Sequence, residues 1–228
     1  MRRVALLLVG GLLGWAACAE PPRAPGSEPA VAVLISHEEL GVRPDGVTQV
    51  LRYQERVLRR DGQLWSERVL DGRVPAVAHP ESRRDVHDWS VVPRWVSREA
   101  DGRVRLRFVL ADSREVVEVE PPEYDSVGFT PAWDELSHQV SNAVLARLTP
   151  SSRPDAPEGA RWLEATTADR YLRVLWSDTL ALALEMESGR KDGTALHRAK
   201  VQLEALPATA PWESTRAFAR KDINDYRD

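Results

Sequence analysis

The sequence predicts a mainly β fold (α+β): a curved antiparallel sheet or half-barrel packed on one helix, with a β-sandwich as the alternative. Three observations lead there. Five Asp-Gly pairs punctuate the 228 residues, and Asp-Gly between strand-like runs is a strong hairpin signal, because a type I′ turn needs positive φ at both central positions. Apolar and polar residues alternate with period two in the runs between those pairs. One stretch, 130–148, carries the three-and-four spacing of an amphipathic helix.

Taken in chain order, residues 31–46 are broken as a helix by Gly41 and Pro44. Between Asp45-Gly46 and Asp61-Gly62, residues 47–59 alternate, with Val47, Gln49, Leu51, Tyr53 and Val57 on one face and Glu55 interrupting it. Residues 63–70 return after Asp61-Gly62, and 73–78 follow Asp71-Gly72. Residues 89–98 and 103–110 flank Asp101-Gly102. In the second of these Val104, Leu106, Phe108 and Leu110 oppose Arg103, Arg105 and Arg107, the pattern of a sheet with one dry and one wet face. Residues 115–120 add a strand. Thr130-Pro131 then reads as an N-cap with Pro at the first helical position, and Trp133, Leu136, Val140, Val144 and Leu148 form one apolar stripe along a helix of about 18 residues. Pro150, Pro154 and Pro157 mark a long loop. Strands resume at 171–176, at 180–187 and, after Asp192-Gly193, at 195–205, leaving 222–228 as a charged tail.

The N-terminus gives an address. Arg2 and Arg3 precede an uncharged stretch at 4–17, about 21 Å if helical. A bilayer core is about 30 Å thick, so the stretch fits a secretory signal peptide rather than a span. Trp15-Ala16-Ala17-Cys18 resembles a bacterial lipobox, and the chain's single Cys lies at the position that would carry lipid. Ala17-Cys18-Ala19 also reads as a cleavage site that would discard Cys18. Ala19 after the Cys implies, by resemblance to Gram-negative lipoproteins, sorting to the outer membrane. A soluble periplasmic or secreted protein is the alternative. Residues 18–30, with Pro21, Pro22, Pro25 and Pro29, read as an extended tether, and 31–228 as one globular β-rich domain.

Composition excludes several classes. The chain is 43% hydrophobic, too apolar for wholesale disorder. One Cys rules out an intramolecular disulfide framework and Cys-based metal centres. A net charge of −4, which becomes −6 when Arg2 and Arg3 leave with the signal, excludes nucleic-acid binding driven by overall charge. No G-x-S-x-G, H-E-x-x-H, P-loop or G-x-G-x-x-G occurs, so no catalytic residue and no cofactor is assigned. His79, Glu81, Asp85, His87 and Asp88 could in principle ligate a metal, but Arg83 and Arg84 oppose a cation, so the segment reads as a solvated loop. His197 reads as a core histidine and Arg103, Arg105 and Arg107 as a solvated face.

The C-terminal run Leu-Ala-Leu-Glu-Met-Glu, Lys-Asp-Gly-Thr, Val-Gln-Leu-Glu, together with the exported start and the antiparallel body, resembles the bacterial lipoprotein-carrier superfamily, which includes periplasmic lipoprotein chaperones and a sigma-E lipoprotein sensor. That resemblance implies an unclosed barrel over a helix, holding acyl chains in an apolar cavity. Eight Trp suit cavity walls as well as cores. The candidate apolar pocket is Trp95, Phe108, Trp133, Leu136, Val140 and Trp176. The expected partners are a membrane, through the Cys18 anchor, and an apolar ligand or lipidated client. The alternatives are a structural or protein-binding envelope lipoprotein and a hydrolase with an unrecognised site.

Overall fold

The computed structural model describes residues 28–70 and 88–226. The signal peptide expected at 1–17, Cys18, most of the tether expected at 18–30, the strand expected at 73–78 and the segment from His79 to His87 lie outside these residues. Twelve strands form one sheet: β1 (Val31–Val42), β2 (Thr48–Arg60), β3 (Gln63–Val69), β4 (Arg94–Arg98), β5 (Val104–Leu110), β6 (Glu115–Val119), β7 (Thr149–Pro150), β8 (Ala160–Thr166), β9 (Arg170–Ser177), β10 (Leu182–Arg190), β11 (Ala195–Glu204) and β12 (Ala219–Asp222). Their spatial order is β12-β6-β5-β4-β3-β2-β1-β11-β10-β9-β8-β7. The sheet is curved and unclosed. It is antiparallel except where β12 runs parallel to β6.

Two meanders, β1–β6 and β7–β11, are joined where β1 pairs with β11. The Asp-Gly turns do what their chemistry suggests. Asp61 and Gly62, at φ 52° and 70°, make the tight β2–β3 connection with both central residues left-handed. Gly46, Gly102 and Gly193 supply the positive φ in three further hairpins.

Register decides the two faces, because cross-strand partners share a side. The inner face carries Val33, Ile35, Val57, Leu64, Val96, Leu106, Phe108 and Val117. These join Tyr124, Phe129 and Trp133 of the 121–148 connection in one core. A second inner cluster of Leu163, Val174, Trp176 and Ala183 packs against Val140, Val144, Leu145 and Leu148, and Met186 touches both. On the outer face Ala32, Leu58, Trp65, Val109 and Val116 meet Ala210, Trp212 and Phe218.

Several expectations are corrected. The single helix is two short pieces, α1 (Trp133–His138) and α2 (Asn142–Leu145). Gln139 adopts φ 66° and ends α1, and Ser141 restarts the chain by accepting the Val144 N–H on its side chain. The break lets Trp133 and Val140 reach different clusters, which a straight helix would not. The first N-cap is Ala132, not Thr130. Residues 31–42, which no alternation flagged, form the central strand β1. Its Val31-Ala32-Val33 run is buried on both faces, so period two disappears. Residues 219–222 form the parallel edge strand β12, and the following Ile223 is 1% exposed in the core rather than part of a charged tail. Of 89–98 only Arg94–Arg98 is strand, since Asp88 accepts the Ser90 N–H and closes a turn.

Candidate functional site

The inner face is filled unevenly. Over β4–β6 it is plugged by the chain itself: Phe108 is 1% and Leu106 0% exposed beneath Phe129, Tyr124 and Trp133. Trp133 is fixed by its indole N–H, which donates to both Glu28 carboxylate oxygens at 2.9 and 3.0 Å. Arg98 lies 3.6 Å and His138 3.4 Å from the same carboxylate. Burial alone pushes the Glu28 carboxyl up, but hydrogen bonding to His138 and Trp133 with the Arg98 charge outweighs it, and its pKa is lowered. Arg59, 1% exposed, donates to the backbone carbonyls of Pro29, Ser137, Leu180 and Ala181. The residues before β1, the end of α1 and the turn before β10 thus meet on one guanidinium.

Towards the other end of β2 the filling stops. A cavity of about 350 Å³ opens there, with Leu106, Phe108, Val127, Phe129, Trp89 and Val92 as its apolar lining and Tyr53, Glu55, Ser66, Arg68 and Arg94 at its polar side. Trp89 stands against Phe108 with ring centroids 4.7 Å apart. Glu55 is held by Arg94 at 2.7 Å, and Arg94 also donates to the Ser66 hydroxyl at 3.1 Å. A second hollow of about 630 Å³ shares Tyr53 and Arg68 and adds His37, Leu51, Val69 and Leu70. A third, of about 920 Å³, lies at the far end of the β1–β2 and β10–β11 hairpins, lined by Leu40, Val50, Leu51, Tyr171, Leu196 and His197 among others. Exposed Val42, Val47, Val50 and Leu51 crowd this hairpin end.

His37 is the buried polar residue of this region. Its ring stacks on Tyr53 at 4.6 Å and lies 6.1 Å from His197. Its side chain is 9% exposed, and Glu55 is 3.9 Å from Nε2. Burial pushes its pKa below the ordinary imidazole range, against the pull of Glu55.

The six residues singled out by the sequence separate. Phe108 lines the 350 Å³ cavity. Trp133 and Leu136 belong to the plug beside it. Val140 and Trp176 sit in the second inner cluster. Trp95 is on the outer face, paired with Trp65 and Arg107, with the Arg107 guanidinium 4.4 Å over its ring. Sequence reasoning passed over Tyr53, Arg68 and Trp89. The signal available for the first two was Glu55 interrupting an apolar face, which marks where the sheet turns from dry to wet. His197 is half-buried beside Glu39, its β1 partner. Arg103 and Arg105 are exposed as expected, while Arg107 is half-buried against Glu118 at 3.0 Å. Among the described residues no group of three His, Cys, Asp or Glu could hold a metal ion, and no helix is long and apolar enough to cross a membrane.

No protein-family model matches the chain, and no curated protein matches it. Solved structures do resemble it. The MucA/MucB complex of Pseudomonas aeruginosa aligns with a TM-score of 0.42 at 14% identity, over 82% of this chain and 55% of that one. PNGF-II aligns at 0.37 and 12%, over 87% and 33%. A LolA superfamily protein from Nitrosomonas europaea aligns at 0.31 and 12%, over 83% and 93%. The chain therefore spans about half of the first and about a third of the second.

Proposed function

We propose that this is an exported envelope protein, anchored through Cys18 and held off the membrane by the tether at 18–30, that binds an apolar or amphipathic ligand, or the lipid part of a client, in the trough of its sheet without catalysing a reaction. The observation that carries the reading is the 350 Å³ cavity, floored by Leu106 and Phe108 and walled by Trp89 and Phe129. Its size is at the lower end for small-molecule sites, which are concave, mainly apolar and fitted with a few polar groups. That volume favours a single chain over a bulky multi-chain lipid.

Trp89 makes the reading testable. Adding decanoate below its micelle concentration shifts or quenches tryptophan emission saturably, and Trp89→Phe removes most of that change. An unchanged spectrum across the titration contradicts the reading. The anchor is tested separately by intact mass of the protein from its own membranes. A diacyl or triacyl adduct on an N-terminal Cys18 is expected, and an unmodified chain beginning at Glu20 overturns the anchor.

A second reading rests on the exposed Val42, Val47, Val50 and Leu51 at the β1–β2 end. Clustered apolar residues there suit a protein partner. Co-purification of a stoichiometric protein, lost in the double variant Val50→Ser with Leu51→Ser, would favour it.

A further inference from the structure

We infer that the trough selects ligands with an anionic head, and that Arg68 is the group that receives it. This rests on the ligand-binding reading above and adds the chemical class of the ligand. The hollows of about 350 and 630 Å³ meet at Tyr53 and Arg68. Four cations besides Arg68 line one or other of them, and each faces a carboxylate. Arg94 is on Glu55 at 2.7 Å, Arg52 on Glu38, Arg198 on Glu38 at 3.3 Å and Glu187 at 2.6 Å, and Lys200 on Glu185 at 3.5 Å.

Arg68 differs. Its β2 partner is Glu55, but that carboxylate is engaged by Arg94, and among the described residues Arg68 has no carboxylate within ion-pair distance. Its guanidinium instead lies 3.9 Å over the Tyr53 ring. Stacking uses the face of the guanidinium and leaves N–H donors along its edge. With Glu55 engaged by Arg94, the Arg68 charge stands beside the apolar floor of the cavity. Nearby Asp88 is turned to Ser90, accepting from its N–H at 3.0 Å and its hydroxyl at 2.6 Å.

His37 is the second, independent observation. It lines the larger hollow and stacks on the other side of the Arg68–Tyr53 pair. Its side chain is nine-tenths buried, and neither ring nitrogen has a hydrogen-bond partner. A buried polar group of this kind calls for a ligand or solvent atom to complete it. A solvent atom completes the imidazole, and an oxyanion on the edge of Arg68, with its alkyl chain over Leu106, Phe108 and Phe129, supplies the partner that Arg68 lacks. A carboxylate or a phosphate ester head meets this requirement equally, and a quaternary ammonium head does not.

The test uses the full mature protein and three probes with one alkyl chain: decanoate, decanol and decyltrimethylammonium, titrated by calorimetry below their micelle concentrations. Decanoate is expected to bind at least about tenfold tighter than decanol, the scale of one charge-assisted contact, and the ammonium weakest. Arg68→Gln brings decanoate to the affinity of decanol and leaves decanol unchanged, which also shows that the variant is folded. Arg68→Lys restores part of the preference. Inorganic phosphate and decyl phosphate separate the head from the chain: decyl phosphate binds, and phosphate alone at the same concentration does not displace decanoate. Equal affinity of the native protein for decanoate and decanol overturns the anion site while leaving the trough reading intact. Failure of all three amphiphiles to bind overturns both.

Discussion

The two ends of strand β2 lie in the same sheet and are treated differently by the rest of the chain. At its C-terminal end Val57, Leu58 and Arg59 are buried, under the 121–148 connection on one side and the Pro211–Ala217 turn on the other. At its N-terminal end Val50 and Leu51 are each 49% exposed, and hollows stand beside them instead of packed side chains. Both ends carry apolar residues, so hydrophobicity alone does not separate them. Coverage does. Where the chain fills its own trough, side chains contribute to stability. Where it does not, they are available to something else.

The sharpest way to break this comparison is at its filled end. Arg59→Ala strands four carbonyls, that of Ser137 buried and those of Pro29, Leu180 and Ala181 half-buried. Each unmet buried acceptor costs about 1–3 kcal/mol, so a loss of at least about 4 kcal/mol, or failure to fold, is expected in chemical denaturation. A loss below about 1 kcal/mol would remove Arg59 as the junction of the residues before β1, the helix and the turn.

The next prediction sets one residue from each end side by side. Leu58→Ala should destabilise by about 2–5 kcal/mol through lost burial and a residual cavity. Leu51→Ala should change stability by no more than about 0.5 kcal/mol, as an exposed position does, while weakening decanoate binding. Equal stability losses would erase the distinction between the ends.

A smaller effect appears in acid. The folded Glu28 carboxyl titrates below the ordinary carboxylate range, so the unfolded chain takes up the proton first. The stability it contributes is present above that range and is lost as pH falls through the lower folded pKa. Glu28→Gln should flatten the stability profile below pH about 4.5 and leave its neutral region parallel to the native one. An unchanged acid limb would contradict the role of Glu28 in holding Trp133.

The least effect belongs to the outer face. Arg52, Glu38, Arg198, Glu187 and Arg173 stand opposite one another across five strands as an alternating ladder. Exposed pairs contribute little and are screened by salt, so Arg198→Ala should cost about 0.5 kcal/mol in low salt and less than that at 1 M. A salt-independent loss above about 2 kcal/mol would mean that this face is a working part of the molecule.

Much of this architecture is visible in the sequence, for reasons tied to local chemistry. Asp61-Gly62 and Asp101-Gly102 announce hairpins because their backbone angles are set within two residues. The 103–110 alternation shows because one face is dry and the other wet. What escapes depends on distant partners. β1 is hidden because 31–33 is covered on both sides, and β12 because four charged or small residues pair in parallel with a strand a hundred positions earlier. The helix break at Gln139 follows from two separate clusters pulling Trp133 and Val140 apart. The candidate site was half legible: Phe108 is in it, yet Tyr53, Arg68 and Trp89 come from three elements that only the register of β2, β3 and β4 brings together. Trp95, with the same aromatic signal as Trp89, is turned to the outer face by the pleat of β4, while Trp89 sits in the turn before that strand.

The central claim is that the unfilled half of the inner face is where a ligand sits. Backbone amide NMR of the isotope-labelled mature protein during a decanoate titration tests it most directly. The account predicts saturable shifts concentrated at Tyr53, Arg68, Trp89 and Phe129, with Val140, Val174 and Trp176 unmoved. Shifts confined to the outer face around Trp95 and Trp212, or no shifts at all, would contradict it.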